Sequence, residues 1–271
     1  MSLKKRFKNS LFAKVGKEIK SAPAAFSMMV MLDFLFLFSL IIFNKLMRFL
    51  IPSSPDAFIK SFASPWLALS MGLFLMVFYY LMLVLLYSFF SCCIIKLIYK
   101  TFDKKNISFK TLPKFFLLNL TIALMLFAAI MIILILIPML IAQKTAMAVV
   151  IVILAAVIAF FGYPFCIAAQ LMFFTEKKIK ATVAKSFRFV FLRFKKYSPV
   201  YLWSLLIVIA YLILSLIVGL ILKFISFGNA DVLSKIASVY DPIFIGVTTV
   251  LLVCMLVFNR IYVYFIVKQK I

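Results

Sequence analysis

Six runs of mostly apolar residues, at 24–50, 66–96, 115–141, 146–174, 199–226 and 242–267, set the terms on which this chain can fold. A helix needs about 20 such residues to cross the hydrocarbon core of a bilayer, and every run reaches that length. Inside hydrocarbon the backbone must satisfy its own N–H and C=O groups, which leaves helices and closed barrels. Continuous apolar runs of this length select helices. Their excess over the minimum predicts tilt or kinks. The chain therefore reads as an all-α, polytopic transmembrane helix bundle of about six spans, a single transmembrane domain over residues 1–271.

Composition agrees. Hydrophobic residues make up 67% of the chain and charged residues 14%, with a mean hydropathy of +1.23. A soluble domain has about 45–50% apolar and about 25% charged residues, so no soluble core could hide this surface. Thirty-three phenylalanines fit the same reading. The basic start is followed by an apolar run too long for a signal peptide, and the small residues of Ser21–Ala25 precede that run, so the first span reads as an uncleaved anchor. Cys92, Cys93, Cys166 and Cys254 all fall in apolar runs without metal-ligand spacing, and read as buried free thiols.

The 30 Lys and Arg against 7 Asp and Glu give a formal charge of +23. In a soluble protein this would point to nucleic acid. Here the charges sit between the spans, where they set topology. The segments before the first span, between the second and third, between the fourth and fifth, and at the end of the sixth hold 24 of the 30. The opposite connections and helix ends hold Lys45, Arg48, Lys60, Lys144, Lys223 and Lys235. This excess predicts a multi-pass cell-membrane protein with both termini in the cytoplasm, and excludes nucleic acid as a partner. On the outer side, Pro52–Asp56 reads as a turn, Gln143–Lys144 as a tight hairpin link and Asp231–Val239 as a short interfacial helix.

A pattern K-x-x-P recurs at Lys20–Pro23, Lys110–Pro113 and Lys196–Pro199, each after a basic stretch and at the start of an apolar run. Proline is tolerated in the first turn of a helix and biases the residue before it away from helix, so it can end a surface helix and open a span. Residues 11–19 carry Leu11, Phe12, Val15 and Ile19 at helical spacing among lysines. Residues 183–194 do the same with Val183, Phe187, Val190, Phe191 and Phe194, while the middle copy, 102–109, is weaker. The unit is a basic surface helix plus a helical hairpin, used three times over about 1–98, 99–175 and 176–271. Two spans preserve orientation, so the repeats are parallel. Three unrelated hairpins are the alternative.

The stretch Phe161-Gly162-Tyr163-Pro164 through Lys177-Lys178-Ile179-Lys180-Ala181-Thr182-Val183-Ala184-Lys185-Ser186-Phe187-Arg188-Phe189, followed by the fifth span, carries a family likeness. It resembles the six-span membrane domain that precedes some bacterial glycerophosphodiester phosphodiesterases, and several membrane families of unknown function. The resemblance implies the helical layout and no catalytic residue. The phosphodiesterase chemistry belongs to a separate soluble domain, for whose histidines this chain has no counterpart.

Few residues are candidates for function. Asp33 alone among the acids lies well inside a span, about 15 Å along the helix from Pro23, where an ionisable residue marks a functional candidate. Arg260 enters its span from the same side to similar depth. The two are expected to form a structural intramembrane ion pair, with a proton or ion relay as the alternative. Pro164, two residues after Gly162, is expected to interrupt and kink the fourth span. Ala155, Ala159 and Gly162 give that span a small-residue face suited to close helix packing. Asn44, Ser88, Ser91, Asn119, Gln170, Thr248, Thr249 and Asn259 are expected to make interhelical hydrogen bonds rather than line a path. Lys185, Arg188, Arg193, Lys195 and Lys196 are expected to contact anionic lipid headgroups, with the phenylalanines of the same helix toward membrane or bundle.

No phosphate-binding loop, dinucleotide fingerprint, metal motif or nucleophile elbow occurs, so the expectation is no enzyme, no cofactor and no metal. Two readings stand. One is a membrane component that handles or transports a small or lipid-like solute. The other is a membrane scaffold or accessory subunit whose basic cytoplasmic face binds anionic lipid or a partner protein. A polar cavity inside the bundle favours the first, and a solid apolar core the second.

Overall fold

The computed structural model describes residues 10–50, 59, 62, 64–140, 144–225 and 230–269. These are all-α. The elements are α1 (Leu11–Ser21), α2 (Pro23–Leu50), α3 (Pro65–Asp103), a 3-10 turn (Phe109–Thr111), α4 (Leu112–Leu140), α5 (Lys144–Glu176), α6 (Ile179–Leu192), α7 (Phe194–Ile225) and α8 (Ala230–Lys268). Among the described residues five helical segments are long and apolar enough to cross a membrane, in α2, α3, α4, α7 and α8. The fourth expected span is the 33-residue α5. This is the architecture of a helical membrane protein. Large apolar side chains stand exposed along the long helices, among them Phe49, Trp66 and Phe224, which water would penalise and lipid does not. The expected turn at Pro52–Asp56 lies outside the described residues.

Two of the three prolines act as expected. Ser10 caps α1, its Oγ accepting from the Ala13 N–H at 3.2 Å, and Ala22 leaves the helical region before Pro23 opens α2. Pro113 sits in the first turn of α4. The third departs. The break falls at Arg193, α7 begins at Phe194, and Pro199 lies inside the helix. The Tyr262 hydroxyl donates to the Lys196 carbonyl at 3.1 Å, in the turn beside that proline. The middle connection forms only a 3-10 turn, with no surface α-helix. The segment 231–239 is no separate interfacial helix. It is the start of α8, which continues through Pro242 to Lys268. Proline removes only one ladder bond, and the turns on either side hold the helix together.

Packing contacts gather the chain into two units. The first, Met1–Phe26 with Arg193–Ile271, contains α1, α7 and α8. Antiparallel α7 and α8 are joined by Ser204 Oγ donating to Asn259 Oδ1 at 3.2 Å and by the stacked rings of Tyr211 and Phe244, 5.4 Å apart. Here α1 packs on the last hairpin of the chain: Phe12 lies 4.9 Å from Phe258 and 6.2 Å from Tyr262.

The second unit, Ser27–Leu192, contains most of α2 and all of α3 to α6. Phe43 stacks on Tyr79 at 5.4 Å, and Phe36 meets Tyr87 and Phe90, which ties α2 antiparallel to α3. The core lies where α3, α4 and α5 meet, around Ile94, Ile98, Phe115, Leu118, Ala168 and Leu171. The Tyr99 hydroxyl donates to the Leu171 carbonyl at 2.9 Å across that core. Helix α5 is continuous through Gly162 and Tyr163 and carries Pro164 inside it. A Cβ on Gly162 would stand 3.4 Å from Leu126 Cδ2, so α4 and α5 approach closely there, as the small-residue face implies.

Candidate functional site

Three helices of the second unit meet through side chains that hydrocarbon would otherwise penalise. The Gln170 amide nitrogen on α5 donates to Asn119 Oδ1 on α4 at 2.9 Å and to the Tyr87 hydroxyl on α3 at 3.0 Å. Asn119 Nδ2 in turn donates to Ser88 Oγ at 3.0 Å, and Ser88 donates back to the Val84 carbonyl at 2.6 Å. Ser88, Asn119 and Gln170 are all buried, Gln170 at 2% exposure. An amide carries two donors and an acceptor with two lone pairs. One bond joins the two amides, and each finds a further partner on α3, Gln170 in Tyr87 and Asn119 in Ser88. Interhelical bonds of this kind contribute about 0.6 kcal/mol on average in membranes and up to about 1.7 kcal/mol.

The network borders a groove of 420 Å³. Phe36 and Leu40 of α2 form one wall, Tyr80 and Val84 of α3 another, and Leu126 of α4 with Cys166 of α5 close it. Tyr87, Asn119 and Gln170 also line it, but the lining surface is almost wholly apolar, because these side chains hydrogen-bond to one another. The volume lies in the range of small-molecule sites, about 300–1,000 Å³.

Asp33 lies one turn from this groove on α2. It is 4% exposed, in line with buried Met29 four residues before it and with Phe36 three residues after it, whereas Met31 and Leu35 are exposed. The carboxylate thus occupies the inward stripe of an otherwise lipid-like helix. Arg260, its expected partner, belongs to the other unit, on α8 beside buried Asn259.

On α6 the buried stripe is Thr182, Ser186, Phe189 and Val190. Phe187 and Phe191, expected toward membrane or bundle, are 57% and 56% exposed, 4.9 Å apart, and touch α5 at Phe165 and Phe161. Ser186 Oγ lies 3.6 Å from Met172 Sδ, so a short hydroxyl fills the place a larger apolar side chain would crowd. Phe194 belongs to α7 rather than α6. Lys185, Arg188, Lys195 and Lys196 are exposed and Arg193 is half-buried. Lys185 bonds Glu176 at 2.6 Å; with Lys185 exposed and Glu176 half-buried at the surface, such a pair contributes about 1 kcal/mol or less.

Of the polar residues singled out in the sequence, Ser88, Asn119 and Gln170 are brought together, Asn44 accepts from Tyr79 at 2.7 Å, and Asn259 accepts from Ser204. Tyr87 is the member the sequence left unmarked. Its signal was adjacency to Ser88, hidden among the chain's eleven tyrosines. All four cysteines are free thiols, with Cys92 buried and the others half-buried. Protein-family models, curated proteins and solved structures contain no match to the chain.

Proposed function

We propose that this protein is a non-enzymatic, multi-pass membrane protein that binds a lipid-like solute in the groove bordered by α2, α3, α4 and α5. The observation that carries the reading is the buried Gln170–Asn119–Tyr87 surface set into apolar walls. Buried polar groups in a helix bundle are expensive and mark sites. Here they face a volume that accepts an apolar chain. The charge distribution supports about six crossings with both termini in the cytoplasm.

Native mass spectrometry of the protein, extracted in mild detergent, tests the reading. Wild type should retain a bound amphiphile. Ala123→Trp, which fills the groove from α4, should lose it while still purifying as a folded protein. Equal retention in both would refute the groove as the binding site.

A second reading, a scaffold held on anionic lipid, is favoured by α6. It leaves Phe187 and Phe191 uncovered on one side while Lys185 and Arg188 stand exposed on another. Such a helix lies at a membrane interface, each cation near an anionic leaflet contributing about 1 kcal/mol. Replacing Lys185, Arg188, Arg193, Lys195 and Lys196 with Gln should reduce enrichment of anionic lipid around the purified protein. Unchanged enrichment would leave these charges as topology signals only.

A further inference from the structure

A second cavity, of 450 Å³, lies between the α3–α4 connection and the end of α5. Its composition is unlike that of the groove. Lys105, Asn106, Ser108 and Lys114 line one side, Thr175 and Lys177 the other, and Tyr99, Phe173 and Phe174 form an apolar floor. Tyr99 and Phe173 are buried. Three lysines thus line the cavity together with aromatic side chains.

The backbone places two of these lysines, Lys105 and Lys177, at the ends of α3 and α5. α3 ends on Lys104 in the left-handed region (φ 54°, ψ 20°), and the N–H groups of Lys104 and Lys105 both return to the Tyr99 carbonyl. α5 ends the same way on Lys177 (φ 58°), whose N–H returns to the Phe173 carbonyl at 2.8 Å. Glycine is the ordinary residue for such a helix end, because a Cβ strains it. Lysine stands at both, and Lys177 lines the cavity.

The donor inventory points outward. The Thr111 and Thr175 hydroxyls donate to the Ser108 and Met172 carbonyls. Ser108 Oγ accepts from the Lys110 N–H at 3.2 Å. A ligand is left the three ammonium groups, the Ser108 hydroxyl and the Asn106 amide. The opposing charges are Asp103 and Glu176, the last residues of α3 and α5, and the helix C-termini. Glu176 is bound by Lys185, and each C-terminus carries only about half a negative charge. Three full positive charges outweigh these.

We propose that this cavity binds a phosphate group, carried on a lipid or on a small organic molecule whose apolar part lies against Phe173 and Phe174. A phosphate monoester brings about −1.5 to −2 charges and three acceptor oxygens. That matches three separate ammonium donors better than a carboxylate does. Lysine binds phosphate as a point charge and needs no planar fork.

The test uses the full chain in detergent, titrated with inorganic phosphate, dihexanoyl phosphatidic acid and dihexanoyl phosphatidylcholine by calorimetry. A charge-assisted hydrogen bond contributes enough that losing one weakens binding about tenfold. Lys105→Gln, Lys114→Gln and Lys177→Gln should each do so, and their combination should abolish saturable binding. Lys14→Gln, Lys17→Gln and Lys20→Gln together remove the same charge from α1 and should leave affinity unchanged. Lys104→Gly and Lys177→Gly separate strain from charge: both relieve the left-handed residue, but only the second should weaken binding. Saturable binding of inorganic phosphate supports a site for the free group. Binding of phosphatidic acid alone, without phosphatidylcholine, supports a lipid source. No saturable binding of either phosphate ligand overturns the proposal, as does equal loss in the α1 control. The groove among α2 to α5 is a separate site, so either result stands apart from the other.

Discussion

The side-chain amides of Gln170 and Asn119 meet across the α5–α4 contact, Gln170 Nε2 donating to Asn119 Oδ1 at 2.9 Å. Both are buried, so removing Gln170 leaves Asn119 Oδ1 without its donor. Gln170→Leu should destabilise the protein by about 1–3 kcal/mol, the cost of a buried polar group left unpaired. Gln170→Leu combined with Asn119→Leu should cost less than the sum of the two single changes. Thermal unfolding in detergent measures the cycle. Strict additivity would show that the two amides do not depend on each other.

Gly162 tests the close approach of α4 and α5. An added Cβ would meet Leu126 at 3.4 Å and Ile158 at 3.9 Å, ordinary contact distances. Gly162→Ala should stabilise by up to about 1 kcal/mol, the difference in helix propensity, whereas Gly162→Leu should destabilise by forcing the helices apart. A marked loss of stability in the alanine variant would mean that the flexibility of glycine beside Pro164 is itself required.

The long helices were legible in the sequence because length and hydropathy decide them. The N-terminal surface helix was legible because Leu11, Phe12, Val15 and Ile19 fall at helical spacing and Pro23 follows. The facing of each helix was far less so. In lipid both the inward and the outward sides of a helix are apolar, so nothing in the spacing of α6 distinguished its buried stripe of Thr182, Ser186, Phe189 and Val190 from the exposed Phe187 and Phe191. Polar residues were the usable guide, which is why Ser88, Asn119 and Gln170 stood out and the groove beside them did not. The packing of Phe12 on Phe258 joins residues at opposite ends of the chain, beyond any local pattern. The continuity of α8 through Pro242 went against a local rule, because neighbouring turns make up for one missing bond.

The loop charges predict a topology that reporter fusions can check. Reporter fusions after Lys105 and Lys185 should read cytoplasmic, and those after Lys144 and Lys235 external. A cytoplasmic reading at Lys144 with an external one at Lys185 would invert the arrangement and remove the assignment of the basic connections to the cytoplasm.

The most direct measurement is an experimental structure of the purified protein in nanodiscs made from native lipid. The account predicts elongated density in the groove between Phe36, Leu40, Val84 and Leu126, with its polar end within hydrogen-bonding distance of Gln170, Asn119 or Tyr87. A groove closed by its own side chains, with the Gln170–Asn119 network sealed from any ligand, would contradict it.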